Sequence, residues 1–201
     1  MTTKEKILNA ALTLFSEKGY NAVSVRHIAA EVGIKASSLY NHFENKQDIL
    51  HELVEKNIKY INDFIEKMDI ENLFNSDKFT NIESFNSTFI DMSLKIIKFF
   101  LENATVVKFR KMLIIEQFSN PELSALYQKI FITDILEYES KLFKCFMDKN
   151  ILIKTDPYIL ALQFYSPIFL LLYNEDKINK KDYINVKKHI FQFKDTYSMK
   201  G

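Results

Sequence analysis

Ser24-Val-Arg-His-Ile-Ala-Ala-Glu-Val-Gly33, continuing through Ile34-Lys-Ala-Ser-Ser-Leu-Tyr-Asn-His-Phe43 to Glu44-Asn-Lys46, is the stretch that decides the fold. Ser24 is a good helix N-cap, and Val25, Ile28, Ala29 and Val32 fall on one helical face behind it. Gly33 can adopt the left-handed conformation that ends such a helix, which strains any residue with a Cβ. A second short helix is predicted from about Ala36 to His42, too short to be stable alone. Leu39 and Phe43 lie one turn apart and point inward, whereas Ser37, Ser38, Tyr40, Asn41 and His42 point outward. Few bulky apolar groups outside, several donors and acceptors, and an apolar seam behind are what a helix lying in a DNA major groove needs.

Working outward, Thr2 with Glu5 forms a capping box for a first helix bearing Ile7, Leu8, Ala11, Leu14 and Phe15, which Gly19 closes. After Phe43, Asn45 caps a long helix with Asp48 three residues on, and Ile49, Leu50, Leu53, Val54, Ile58, Ile61, Phe64, Ile65 and Met68 carry its pattern. Residues 69–79 are mixed and turn-like, and Thr80 with Glu83 reads as another capping box. A helix follows to Phe100, Asn103-Ala-Thr105 interrupts, and Val106–Phe118 is helical again. Asn120-Pro121 restarts the chain as one long, kinkable helix to about Lys149. Asp156-Pro157 repeats the signal, and Asn179 with Asp182 opens the last helix.

The 201 residues are 47% hydrophobic, enough for a core, with only three glycines and three prolines. So few breakers argue for an all-α protein of one or two domains. Net charge is +1, with six Lys/Arg against five Asp/Glu in residues 1–50, so any DNA contact depends on placed cations rather than a basic field. The single cysteine, Cys145, cannot form an internal disulfide and is expected to be a buried small residue. No secretory h-region precedes the first helix, and Ile159–Tyr173 is too short and too interrupted to span a bilayer. A cytoplasmic protein without membrane association is the expectation.

The stretch quoted above resembles the DNA-binding segment of the TetR family (TetR/AcrR type) of bacterial transcriptional regulators. The resemblance is carried by Ile28-Ala29, Val32-Gly-Ile34, Ser38-Leu-Tyr-Asn-His-Phe43 and Asn45-Lys46 with the helix behind them. It implies a three-helix helix-turn-helix domain at 1–47, with a linker helix continuing over 46–68. A helical effector-binding and dimerisation domain is then implied at 48–201. Tyr40 and His42 are assigned by it to backbone or base edges, and Lys46 to a phosphate, where the N-terminus of a helix already favours an anion. Ser37 and Ser38 are small enough for close approach, and Asn41 can hydrogen-bond a base. Lys35 and Ala36 occupy the entry turn, and Arg26 can reach a phosphate. Two positions depart from the family pattern: Lys35 stands where a Ser or Thr cap is common, and His27 where an acidic residue is common.

Residues 157–173 are apolar on almost every side, which in a chain of this size points to burial in an intersubunit bundle. A homodimer through helices 157–173 and 182–197, reading a palindromic double-stranded operator, is therefore expected, as in the family. Sixteen of the eighteen phenylalanines lie beyond residue 50, suiting a pocket for an apolar or aromatic small-molecule effector. Arg110, Glu116, Gln117, Gln163 and Tyr165 are candidates for its polar groups, although a structural ion pair suits Arg110 better. The four histidines (27, 42, 51 and 189) are scattered, without metal-ligand spacing, and no phosphate loop or Cys-His pair occurs. No catalytic residue, metal or cofactor is expected. The function expected is a repressor released from DNA by its effector. The competing reading is a helical ligand-binding or interaction module without DNA-binding activity.

Overall fold

A computed structural model of the chain describes residues 1–70, 82–174 and 179–199. Helices account for nearly all of it, and among the described residues the β pairing is one isolated antiparallel bridge between Leu152 and Ser198. The chain divides into two compact units, Met1–Met68 with Ala104–Tyr127 and Asp69–Asn103 with Gln128–Gly201. The predicted capping box at Thr80–Glu83 lies outside the described residues.

The first unit is built on α1 (Thr3–Lys18), which packs against α2 (Val25–Val32), α4 (Lys46–Met68) and α6 (Ala104–Glu116). Thr2 and Glu5 cap α1 reciprocally, with Glu5 Oε2 accepting from Thr2 N–H at 2.8 Å. Its stripe of Ile7, Leu8, Ala11, Leu14 and Phe15 is buried. Burying an aliphatic or aromatic side chain of this size is worth about 1.5–3 kcal/mol, so the stripe needs a large partner surface, and α6 supplies Val106, Phe109, Met112 and Leu113. Gly33 ends α2 with φ 76° and ψ 31° in a Schellman arrangement, Gly33 N–H donating to Ala30 C=O and Ile34 N–H to Ala29 C=O.

The short helix α3 covers Ala36–Leu39 rather than the predicted 36–42. Lys35 provides no side-chain cap, and residues 40–42 continue as turns in which His42 N–H donates to Leu39 C=O at 2.9 Å. A four-residue helix cannot sustain itself, and buried Leu39 and Phe43 hold it in place. At the start of α4, Asn45 Oδ1 accepts from Asp48 N–H at 2.9 Å, while Asp48 Oδ2 takes the Glu44 N–H. All of α4 lies in the first unit, packed on α1 and α6. Packing groups 1–68 with 104–127, a grouping by contacts and not a test of the division expected at residue 47.

The second unit contains α5 (Ile82–Glu102), a π-helical turn (Lys129–Thr133) directly behind α7 (Pro121–Gln128), and α8 (Asp134–Asp148), α9 (Pro157–Asn174) and α10 (Lys180–Tyr197). The starts of α7, α9 and α10 are capped as predicted, by Asn120, Asp156 and Asn179. The long helix predicted from Asn120 is interrupted by the π turn, where the buried positions step by five from Phe131 to Leu136. One extra residue in that turn keeps both side chains inward. Asn150 closes α8 at φ 54°, with Ile151 N–H donating to Phe146 C=O and Asn150 N–H to Met147 C=O. Cys145 is half-buried instead of buried, because two residues past Phe143 a side chain points well off the inward stripe.

Phenylalanines form the centre of this unit. The Phe164 ring lies 4.8 Å from Phe193 and 5.5 Å from Phe89, and Phe143 lies 5.4 Å from Phe193. Such pairs add about 0.5–1.5 kcal/mol beyond the area they bury. Helix α9 is not buried all round: Leu160, Ala161, Phe164, Tyr165, Ile168 and Leu172 face inward, while Tyr158, Ile159, Leu162, Leu170 and Tyr173 are exposed.

Candidate nucleic-acid interface

The turn before α2 is gripped from two sides. Tyr20 N–H donates to Glu116 Oε1 at 2.6 Å, and Lys46 Nζ donates to Tyr20 C=O at 2.8 Å and Val23 C=O at 2.9 Å. Gly19 permits the first contact: at φ 76° it favours glycine, and a Cβ there would lie 3.1 Å from Glu116 Oε1. Ser119 Oγ donates to the other carboxylate oxygen at 3.1 Å, and the Tyr20 hydroxyl donates to Gln47 Oε1 at 2.9 Å. Burial pushes the Lys46 ammonium below its ordinary range against the opposing pull of Glu116. Burial and the Glu116 charge both raise the Tyr20 phenol. Lys46 also sits 4.0 Å from the Tyr20 ring centroid.

On this support α2 and α3 present one polar face. Ile28, Ala29, Leu39 and Phe43 are buried, whereas Arg26, Lys35, Ser37, Tyr40, Asn41 and His42 are exposed, and Ala36 and Ser38 are half-buried. Tyr40 keeps 55% of its surface exposed, unusual for a ring adjoining the buried Leu39. His27 replaces the usual acidic member of a capping box: its Nδ1 accepts from Ser24 N–H at 3.2 Å while Ser24 Oγ accepts from His27 N–H. The structure thus brings eight of the nine predicted nucleic-acid residues to the exposed side of two adjoining helices. Lys46 is the ninth, with two of its three N–H donors spent on carbonyls.

The five predicted ligand-contact residues do not form one cluster within either unit. Arg110, Glu116 and Gln117 belong to the first unit, Gln163 and Tyr165 to the second. Arg110 is buried, with 1% of its surface exposed, and Glu116 holds the Tyr20 turn. Gln117 Nε2 donates to Ile114 C=O at 3.0 Å, and Gln163 Oε1 accepts from the Tyr197 hydroxyl at 2.6 Å. Tyr165 donates its hydroxyl to Phe131 C=O in the π turn at 2.7 Å. Sequence reasoning did not anticipate the Glu116–Tyr20–Lys46 grip, because its members are far apart in the chain and match no local pattern. Among the described residues no group of three or more His, Cys, Asp and Glu could hold a metal, and no helix is long and apolar enough to cross a membrane.

A tri-helical support with a short polar helix outermost defines a helix-turn-helix module of the kind that docks in a major groove. Residues 7–53 match the sequence profile of the bacterial regulatory proteins of the tetR family. Over 62 residues the chain is 45% identical to IcaR of Staphylococcus epidermidis, the negative transcriptional regulator of the biofilm operon icaADBC, covering 31% of this chain and 34% of that protein. The chain thus matches about a third of the length of the curated relatives. Across 98% of this chain and 97% of the other, the fold superposes with TM-score 0.70 and 18% identity on a protein of Mesorhizobium loti assigned to the TetR-family transcriptional regulators. SmeT, the repressor of the Stenotrophomonas maltophilia multidrug efflux pump SmeDEF, superposes at TM-score 0.65 with 20% identity over 100% of this chain and 93% of its own. Residues 7–53 thus match the N-terminal domain of the tetR family, and almost the whole chain shares the fold of these solved structures.

Proposed function

We propose that the protein is a homodimeric transcriptional regulator that binds a palindromic operator through α2 and α3 and is released from it by a small effector. The observation that carries this reading is the outward set of Arg26, Lys35, Ser37, Ser38, Tyr40, Asn41 and His42 on a helix pair that buries Ile28, Ala29 and Leu39 on its other side. Phosphates are met by Arg26, Lys35 and the remaining Lys46 donor, and base edges by Ser37, Ser38, Asn41 and His42. None of these is an arginine placed for bidentate guanine reading, so affinity comes from doubling the site. The exposed apolar face of α9 supplies the means, with Ile184 and Phe191 exposed on α10 as further partner surface. Repression is inferred from IcaR and SmeT, which are a negative regulator and a repressor.

The effector belongs in the Phe-rich second unit; SmeT has been solved in complex with triclosan. Helix α6 begins one residue after α5 ends and carries Glu116, which holds the turn preceding the helix-turn-helix. Movement of α6 would therefore reach α2 directly. Release requires that effector bind the non-DNA-competent state more tightly, and reciprocally that DNA weaken effector binding. A gel shift with the DNA upstream of the protein's own gene tests the reading. Saturable, salt-sensitive binding is expected; no binding at low salt would favour the interaction-module alternative.

A further inference from the structure

Glu139 occupies the inward stripe of α8, between Leu136 and Phe143 and seven residues before Phe146, at spacings of three and four that put all four side chains on one face. Its neighbours on that stripe are fully apolar. The residue as a whole is only half-buried, yet its Oε2 atom is shut off from solvent and meets no hydrogen-bond donor among the described residues. Burial holds the carboxyl well above its ordinary range, and among the described residues no cation offsets it. Leaving a buried acceptor unsatisfied is costly, and strain, a bound water or ion, or a functional role are the ways a native structure accounts for such a group. Phe143 and Phe146 of the same stripe belong to the ring cluster, with Phe89 6.3 Å and 6.4 Å from them, respectively. The π turn that opens this helix sets the register that turns Glu139 inward, and such turns recur at functional sites.

We propose that Glu139 anchors an amphipathic organic amine, whose ammonium N–H donates to the carboxylate while its apolar body lies against the phenylalanine rings. Aromatic faces attract the same cation that the carboxylate pairs with, so both parts of the site select one ligand class. In the free protein burial favours the protonated carboxylic acid. When R–NH3+ enters, the carboxyl O–H bond breaks, its proton passes to water or buffer base, and the ammonium–carboxylate pair forms, with one proton released and no change in the carbon skeleton of either partner. This rests on the reading of the second unit as the effector-holding part.

The test is calorimetry of the full chain with phenylbutylamine and its neutral counterpart phenylbutanol, in two buffers of different ionisation enthalpy. The amine should bind roughly tenfold or more tighter than the alcohol. It should release a proton and bind more tightly as pH rises from slightly acid to neutral. Glu139→Gln should remove the amine's advantage and leave the alcohol unchanged. Equal affinities in the wild type, an amine preference retained by the variant, no proton release, or no amine binding at millimolar concentration would each overturn the assignment. The wild-type comparison needs no variant to fold. Operator binding measured without amine is independent of these results, so failure here leaves the DNA-binding reading standing.

Discussion

Glu116 accepts the backbone N–H of Tyr20 at 2.6 Å, across ninety-six positions of chain. This bond ties α6 to the turn that launches the helix-turn-helix. A carboxylate accepting a partly buried N–H makes one of the stronger hydrogen bonds available. Glu116→Ala should cost about 1–3 kcal/mol of unfolding free energy, since the Tyr20 donor is left without its acceptor. Glu116→Gln, which keeps an acceptor oxygen, should cost less. Urea denaturation followed by circular dichroism checks the order, and equal midpoints for wild type and the alanine variant would remove the bond from the account.

Lys46 and Tyr40 separate support from contact. Lys46→Ala loses two donors to backbone carbonyls, so it should destabilise the fold by about 1–3 kcal/mol and also reduce the log–log salt slope of DNA binding by about one unit. Tyr40→Ala removes an exposed ring and should change stability by less than about 0.5 kcal/mol, while weakening binding to every duplex. Thermal melts and salt titrations of DNA affinity on both variants give the comparison. Full stability in the lysine variant would refute the structural half of its role.

Much of this was legible locally. Capping residues are read within four positions, so Thr2, Ser24, Asn120, Asp156 and Asn179 all marked real helix starts, and Gly33 marked a real end. The five-residue step from Phe131 to Leu136 was also present in the sequence, but a single irregular step looks like an ordinary kink. What could not be read was which distant partner each helix face meets. Glu116 looked like a ligand group because nothing near it in sequence needs an acceptor. Cys145 looked buried because neighbouring apolar residues hide a 100° offset per position. The polar face of α2 and α3 was visible in advance because it depends only on local helix geometry.

The exposed apolar face of α9 gives a direct oligomer prediction. Leu162 and Leu170, 41% and 59% exposed, lie eight residues apart on the side away from Phe164 and Ile168. Leu162→Lys with Leu170→Lys should leave the subunit folded, since neither side chain is in the core. It should convert a dimer to monomer by placing charges where apolar surfaces meet. Sedimentation velocity reads the state, and affinity for a palindromic duplex should fall with it. A dimer persisting in the double variant would place the interface elsewhere.

Glu139 makes the stability of the unliganded protein depend on pH with a sign opposite to that of a salt-bridged carboxylate. Its folded-state proton affinity is raised by burial from the ordinary 4.5, so above that value the unfolded chain ionises while the folded chain keeps the proton. The folded state then binds more protons than the unfolded one, and stability falls as pH rises through and beyond the ordinary carboxylate range. Glu139→Gln has no such proton to lose. Relative to wild type it should therefore gain stability progressively as pH rises towards neutral, with the difference vanishing well below pH 4.5. Urea unfolding of both proteins across that range measures it. A difference that is constant with pH, or that grows on acidification, would show that the carboxyl is ionised and satisfied in the free protein.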